Sequence, residues 1–227
     1  MPWADWIRTV EIEPSLYAAD FSILGEQVDS LLRAEARVFH FDVGDGHFVE
    51  PITMGPVVLA SISDLVHEHG GVFDVHLMVE HPEKYFEAFA EAGADSVTVH
   101  FEAVDDLGHT ALEARQHGLE VGVAIRPSTR VEEIAEPALA AEVDLVLSMS
   151  VHPGYSGQKF LPGSLERLQW LRKALPARVQ LQVDGGINAE NVRAANEAGA
   201  NLIVAASAIF GREDLPRAYR RLVQALA

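Results

Sequence analysis

The chain contains no cysteine. That excludes disulfides, thiolate nucleophiles and cysteine-bound zinc, so any metal must take histidine and carboxylate ligands. Long apolar runs are also missing; none approaches the roughly 18 residues of a membrane-spanning helix. The first residues, Met1 to Trp6, carry acid where a secretion signal carries base, and no apolar segment follows. Positive charge is scarce, with 17 Lys and Arg against 34 Asp and Glu and a formal net charge of −17. Nucleic acid is a poor partner for such a chain, because a phosphate backbone is bound through a basic surface. A phosphorylated small molecule remains open, since converging backbone N–H groups hold phosphate whatever the sign of the outer surface. The expectation is a cytoplasmic protein with neither a membrane nor a nucleic-acid partner.

Hydrophobic residues make up 48% of the 227, enough for a sizeable core. No linker, low-complexity tract or shift in composition divides the sequence. It reads as one domain over residues 1–227, with residues 1–8 as an N-terminal leader. Trp3 and Trp6 in that leader leave three uses open: a cover for one end of the fold, an oligomer contact, or a loose extension.

Short β-branched runs alternate with amphipathic stretches along the whole chain. Strands are expected at Thr9–Glu13, Val38–Val43, Val72–His76, Ser96–His100, Glu120–Ile125, Asp144–Met149, Val179–Val183 and Asn201–Ala205. Between them, patterns such as Leu165, Leu168 and Leu171 give a helix one buried face. Alternation of this kind builds right-handed βαβ units. The runs Ala90–Asp95 and Asn196–Asn201 are near copies, and Ala34–Arg37 and Ala140–Asp144 occupy equivalent places. The copies recur at intervals of about 50 residues, or two βα units of a barrel. An open doubly wound sheet has no reason to repeat at that interval. The fold class expected is therefore α/β, a single-domain (β/α)8 TIM barrel.

In such barrels the active site is built from loops at the strand C-termini. His40 and Asp42 point to one side of the second strand, as residues i and i+2 do. His76 ends the third strand and Asp184 the seventh. Each alone has a bland reading as a solvated strand end, a core histidine or a turn former. Together on one rim they make a His2Asp2 constellation suited to a divalent cation. Glycine-rich turns follow the last strands, at Gly154–Gly157, Gly185-Gly186 and Ala206-Ser207. Three adjacent loops of that type favour a phosphate pocket over ordinary turns.

These residues resemble a known family. Pro14-Ser15…Ala19-Asp20-Phe21, His40-x-Asp42-x-x-Asp45-Gly46-His47-Phe48-Val49, Asp74-Val75-His76-Leu77-Met78-Val79, Pro153-Gly154-x-x-Gly157-Gln158-Lys159-Phe160 and Val183-Asp184-Gly185-Gly186 are similar to the signatures of the ribulose-phosphate 3-epimerase family, in order, from about Glu11 to Gly211. The resemblance implies an isomerase of carbohydrate metabolism, active on a phosphorylated ketose in the pentose phosphate pathway and assembled as a homo-oligomer. It implies one divalent metal ion (Zn, Fe, Mn or Co) on His40, Asp42, His76 and Asp184. It makes Asp42 and Asp184 the acid–base pair that interconverts D-ribulose 5-phosphate and D-xylulose 5-phosphate through an enediolate. Ser15 and His76 would touch the substrate, Met149 would form an apolar lid, and Gly154, Tyr155, Ser156, Gly157, Gly185, Gly186, Ala206 and Ser207 would hold the phosphate.

The chain departs from the family pattern at Glu13, Tyr17, Gly44, Glu50, Pro51, Ser156 and Ala206. Glu13 and Tyr17 are expected near the far end of the substrate, where they would favour another ketose phosphate such as D-allulose 6-phosphate. A related branch of phosphate-binding barrels uses an Asp-x-Lys-x-x-Asp motif, and the matching run Asp42-Val43-Gly44-Asp45 lacks the lysine. A non-catalytic sugar-phosphate-binding barrel is the alternative of a different class. It has no need for the two aspartates.

Overall fold

Each of the eight expected segments forms a strand: β1 (Glu11–Pro14), β2 (Val38–Gly44), β3 (Val72–Met78), β4 (Ser96–His100), β5 (Glu120–Ile125), β6 (Leu145–Met149), β7 (Gln180–Asp184) and β8 (Leu202–Ala205). The structure, a computed structural model, describes residues 3–7, 9–155 and 157–226. Helices α1 (Trp3–Trp6), α2 (Leu24–Leu32), α3 (Pro56–Glu68), α4 (Phe86–Ala92), α5 (Leu107–Gln116), α6 (Ala135–Ala140), α7 (Ser164–Ala174), α8 (Val192–Glu197), α9 (Ser207–Phe210) and α10 (Leu215–Leu226) lie before, between and after the strands. All strand pairs are parallel, and the order around the sheet is β1-β8-β7-β6-β5-β4-β3-β2. An isolated parallel bridge between Ser15 and His40 joins β1 to β2 and brings the ring nearly to closure.

Small differences in strand bounds follow from register. Glu11 N–H donates to Asn201 O, so the ladder to β8 begins there and not at the expected Thr9. The repeat in the sequence also finds its cause. Gly93 and Gly199 both take left-handed φ (99° and 113°) where α4 and α8 end, and Glu35 and Glu142 do the same after α2 and α6. Each copy is the same helix-stopping turn that aims the chain at the next strand.

The outward strand residues Phe39, Phe41 and Phe73 are fully buried in one core with Leu59, Phe86 and Phe89. The inward residues behave differently in the two halves of the ring. Ala124, Leu145, Leu147 and Leu202 form a second apolar cluster, and Trp3 and Trp6 pack into it beside Val38 and Val72. Val38, Val72, Leu145 and Leu202 begin their strands, so α1 plugs the N-terminal end of the barrel. Trp3 and Trp6 thus belong to the packed fold and to no loose extension. Both tryptophans are at least 97% buried, and each such burial contributes about 1.5–3 kcal/mol.

Candidate metal centre and active site

Side chains alternate across a strand, so His40 and Asp42, Asp74 and His76, and Ser96, Thr98 and His100 all face the barrel interior. Glu13 and Ser15 from β1 and its end, and Gln182 and Asp184 from β7, face it too. Barrel interiors are normally filled by branched aliphatics. Here β1–β4 and β7 replace them with a buried polar network.

Asp42 Oδ1 lies 3.1 Å from His76 Nδ1 and 3.3 Å from His40 Nε2, and those two nitrogens are 3.4 Å apart. With Asp184, the four residues bring candidate ligand atoms within 4.8 Å of one another. Ser15 donates its hydroxyl to the other Asp42 oxygen at 2.7 Å. The proton positions follow from the partners. Asp74 accepts from Ser96, Thr98 and Gln182, so His40 Nδ1, 3.0 Å from Asp74 Oδ2, is the donor of that pair. His40 Nε2 then turns toward Asp42 and His76. Lone pairs converging on one point demand a positive charge between them. A proton on His40 supplies it within the protein alone; a divalent cation would supply it for all four ligands at once. The donor set therefore fits the expected metal.

Electrostatics agree with that demand. Burial would depress His40, but Asp42, with hydrogen bonds to Asp74 and Glu13, holds its pKa well above the usual imidazole value. Burial opposes ionisation of Asp42, yet His40 and His76 outweigh it and keep the carboxyl well below the usual range. Burial and then the charge of Asp42 push Asp184 up to about 6. Two neighbouring carboxyls thus have opposite shifts, set by unlike surroundings.

One pocket collects most of the other expected residues. Ser15, Asp42, Met149, Gly154, Tyr155, Gly157, Asp184, Gly185, Gly186, Ala206 and Ser207 all line it. Ser156 lies outside the described residues. His40 and His76 are fully buried beneath the pocket and do not line it. Both nitrogens of His76 are engaged, one toward Asp42 and one toward His100, so it offers the substrate no ring nitrogen. His76 thus lies behind Asp42, with its two ring nitrogens turned toward Asp42 and His100.

The far wall of the pocket is backbone. Gly186 has φ +66°, and a Cβ there would stand 2.3 Å from the amide nitrogen of Phe160. Gly185, at φ +121°, abuts Val151 as closely. The loops after β6 and β7 can touch only because these positions have no side chain.

Several departures from the family pattern acquire reasons. Gly44 leaves room for its own loop: a Cβ would meet Pro51 O at 2.6 Å, and Thr53 bonds Gly44 through both backbone and hydroxyl. Tyr17 lines the pocket, and Glu50 accepts a hydrogen bond from Tyr155 at 2.8 Å, tying two rim loops together. Glu13 was expected near the substrate. It lies a layer deeper, fully buried, 3.6 Å from His40 Nδ1 and bonded to Gln182. Burial pushes its carboxyl up to about 7, a rise that contact with His40 only partly offsets.

Sequence reasoning passed over Asp74, Gln182, His100 and Glu102. For Asp74, Gln182 and His100 the signal was available, as polar residues at period two in strands that are otherwise apolar, while Glu102 lies in the short turn after β4. His100 Nε2 lies 2.9 Å from His76 Nε2, and its Nδ1 lies 3.1 Å from Glu102. Burial lowers His100 to about 4, and hydrogen bonds from His100 and Thr129 overcome burial to bring Glu102 down to about 2.

A sequence model described as the ribulose-phosphate 3 epimerase family matches residues 11–210, nearly the whole barrel. The chain belongs to the ribulose-phosphate 3-epimerase family. Among members of that family, ribulose-phosphate 3-epimerase of Bacillus subtilis is 38% identical over 213 residues, covering 92% of this chain and 96% of its own. The cytoplasmic isoform of ribulose-phosphate 3-epimerase from Oryza sativa subsp. japonica is 40% identical over 208 residues, covering 90% and 89%. Among solved structures, a 3-hexulose-6-phosphate synthase superposes with a TM-score of 0.73 at 20% identity, over 96% of this chain and 100% of that one. Likeness at that identity shows the barrel fold shared outside the epimerase family, and nothing of its chemistry.

Proposed function

We propose that the protein is a metal-dependent 3-epimerase that interconverts D-ribulose 5-phosphate and D-xylulose 5-phosphate by two-base proton transfer at C3. The observation that carries this reading is the placement of Asp42 and Asp184 on strands β2 and β7, both on the wall of one pocket that continues into glycine backbone. The family membership and the relatives' names support the same reaction.

Inverting a stereocentre through a planar enediolate needs a proton acceptor on one face and a donor on the other. Asp42, held ionised by its histidines, accepts; Asp184, held protonated more readily, donates; the reverse reaction exchanges the roles. Ser15 fixes the Asp42 carboxylate through its hydroxyl. His40, Asp42, His76 and Asp184 would hold one divalent ion (Zn, Fe, Mn or Co), which when bound supplies Lewis-acid stabilisation of the charge that develops on oxygen. Gly154, Tyr155, Ser156, Gly157, Gly185, Gly186, Ala206 and Ser207 take the phosphate, chiefly through backbone N–H groups. Met149 and Met78 close the apolar side of the pocket.

The same reading makes the protein a cytoplasmic homo-oligomer. Among the described residues no helix is long and apolar enough to cross a membrane. Phe21, Ile23, Ile52 and Val57 leave apolar side chains exposed, surface that an oligomer contact would use.

The deciding experiment is solvent exchange in D2O with metal-loaded protein. Deuterium at C3 of D-ribulose 5-phosphate, with D-xylulose 5-phosphate formed, is the expected result. Preference for D-allulose 6-phosphate would keep the mechanism and move the substrate, with Tyr17 in the pocket as the first residue to exchange. No deuterium in either sugar would overturn the epimerase reading in favour of a binding barrel.

A further inference from the structure

Behind the metal centre runs a chain of contacts that the proton transfer itself does not use. His76 Nδ1 faces Asp42, its Nε2 meets His100 Nε2 at 2.9 Å, and His100 Nδ1 meets Glu102 Oε2 at 3.1 Å. The two imidazole centroids are 5.0 Å apart. That is the separation of rings meeting nitrogen to nitrogen in line, and wider than a face-to-face stack. His76 and His100 are both fully buried, so no solvent competes for these bonds.

On the metal reading, the order of protons along the chain follows from its contacts. Glu102 accepts from Arg126 N–H at 2.9 Å and from the Thr129 hydroxyl, which marks it as a carboxylate. A carboxylate only accepts, so His100 carries its proton on Nδ1. A nitrogen that ligates a metal carries no proton, so with His76 Nδ1 as a ligand the ring proton lies on Nε2, and His100 Nε2, 2.9 Å away, is its acceptor.

We propose that His100 is a positioning residue for the metal centre: by accepting the His76 Nε2–H it fixes the tautomer and the ring plane that present His76 Nδ1 as a ligand. Glu102 in turn sets the tautomer of His100. This inference rests on the metal reading given above and extends it to a second layer. Partners of this kind orient ligand imidazoles and raise their basicity. The chain is anchored at its outer end. Phe48, from the loop after β2, lies against the His100 ring at 4.8 Å between centroids, with the Arg126 guanidinium 3.9 Å from the Phe48 ring centre. Arg126 also donates to Phe48 O at 3.1 Å, and Arg167 holds the 126–129 turn through the carbonyls of Arg126 and Thr129.

The test measures metal binding without turnover. Metal-free wild type, His100→Leu and His100→Gln are titrated with Co2+ against a competing chelator, recording the visible spectrum at saturation. Leucine fills space but accepts nothing; glutamine can accept from His76 through its oxygen and donate to Glu102 through its nitrogen. His100→Leu should lose about 10–100-fold in Co2+ affinity with an altered spectrum, and His100→Gln should recover most of both. Equal affinity and an identical spectrum in wild type and His100→Leu would overturn the assignment, as would a glutamine variant no better than leucine. Should His100→Leu fail to fold, Glu102→Ala carries the test, with a smaller loss expected and unchanged affinity overturning it. Wild-type protein that binds no Co2+ would overturn the metal reading itself, and this inference with it.

Discussion

The two halves of the barrel interior meet the same requirement, filling a ring of parallel strands, with opposite chemistry. Strands β1–β4 and β7 send in Glu13, Ser15, His40, Asp42, Asp74, His76, Thr98, His100, Gln182 and Asp184. Strands β5, β6 and β8 send in Ala124, Leu145, Leu147, Met149, Leu202 and Val204. The polar half presents side chains, most of them hydrogen-bonded to one another. The apolar half acts at its rim through backbone, where Gly154 and Gly157 follow β6, and the Ala206-Ser207 turn follows β8. Burying so many ionisable groups costs stability unless each is paired. The Trp3–Trp6 plug and the aliphatic half offset part of that cost.

The comparison breaks most sharply at the two carboxylates. Asp42→Asn and Asp184→Asn should each lower turnover by about 10^2–10^4-fold, measured with D-ribulose 5-phosphate, with the far-UV spectrum unchanged. Turnover near wild type in either would remove the two-base mechanism. The next pair separates the side-chain centre from the backbone rim. His40→Ala should strip the metal, seen as lost stoichiometry by elemental analysis. Gly186→Ala, forced into φ +66° against the Phe160 backbone, should cost about 1–3 kcal/mol of stability. It should also lower kcat/KM for the phosphorylated sugar while leaving metal content at the wild-type level. Metal loss in Gly186→Ala would show that the rim and the centre are not independent.

Trp3→Ala should destabilise by about 3–5 kcal/mol in urea melts with kcat preserved, since the plug lies at the opposite end from the pocket. A fall in kcat instead would tie the plug to the site.

Acid stability gives a gentler probe. Glu102 falls from 4.5 to about 2 on folding, so the stability it contributes is present above pH 4.5 and is lost as the pH drops toward 2. Glu102→Gln should flatten the urea midpoint over that window, and an unchanged slope would mean the group is not held ionised. The smallest effect belongs to the rim: Tyr155→Phe removes one exposed hydrogen bond to Glu50 and should change substrate binding by no more than about 1.5 kcal/mol.

The strands and the main residues of the candidate centre were legible because local patterns encode them. β-Branched runs between amphipathic stretches mark the barrel, and His40-x-Asp42 shares a face by the geometry of any strand. Glu13 shows where that reading stops. Period two says it points inward with Ser15, and nothing local says it sits one layer deeper, against His40 and Gln182, and away from the substrate. His76 is similar: its place in the strand shows the side it faces, and only the pairing of β3 with β4 brings His100 to its second nitrogen.

Residue order by itself determined the alternation of strands and helices, the absence of any thiolate ligand, and the set of imidazoles and carboxylates from which a centre could be drawn. Tertiary structure decided which of the ten histidines meet, at what depth, and which ring nitrogens face one another. The reason is register. Pairing His40 with Asp74 and Asp42 with His76 across β2 and β3 sets the layers of the interior, and that offset is a property of the closed ring, not of any one strand.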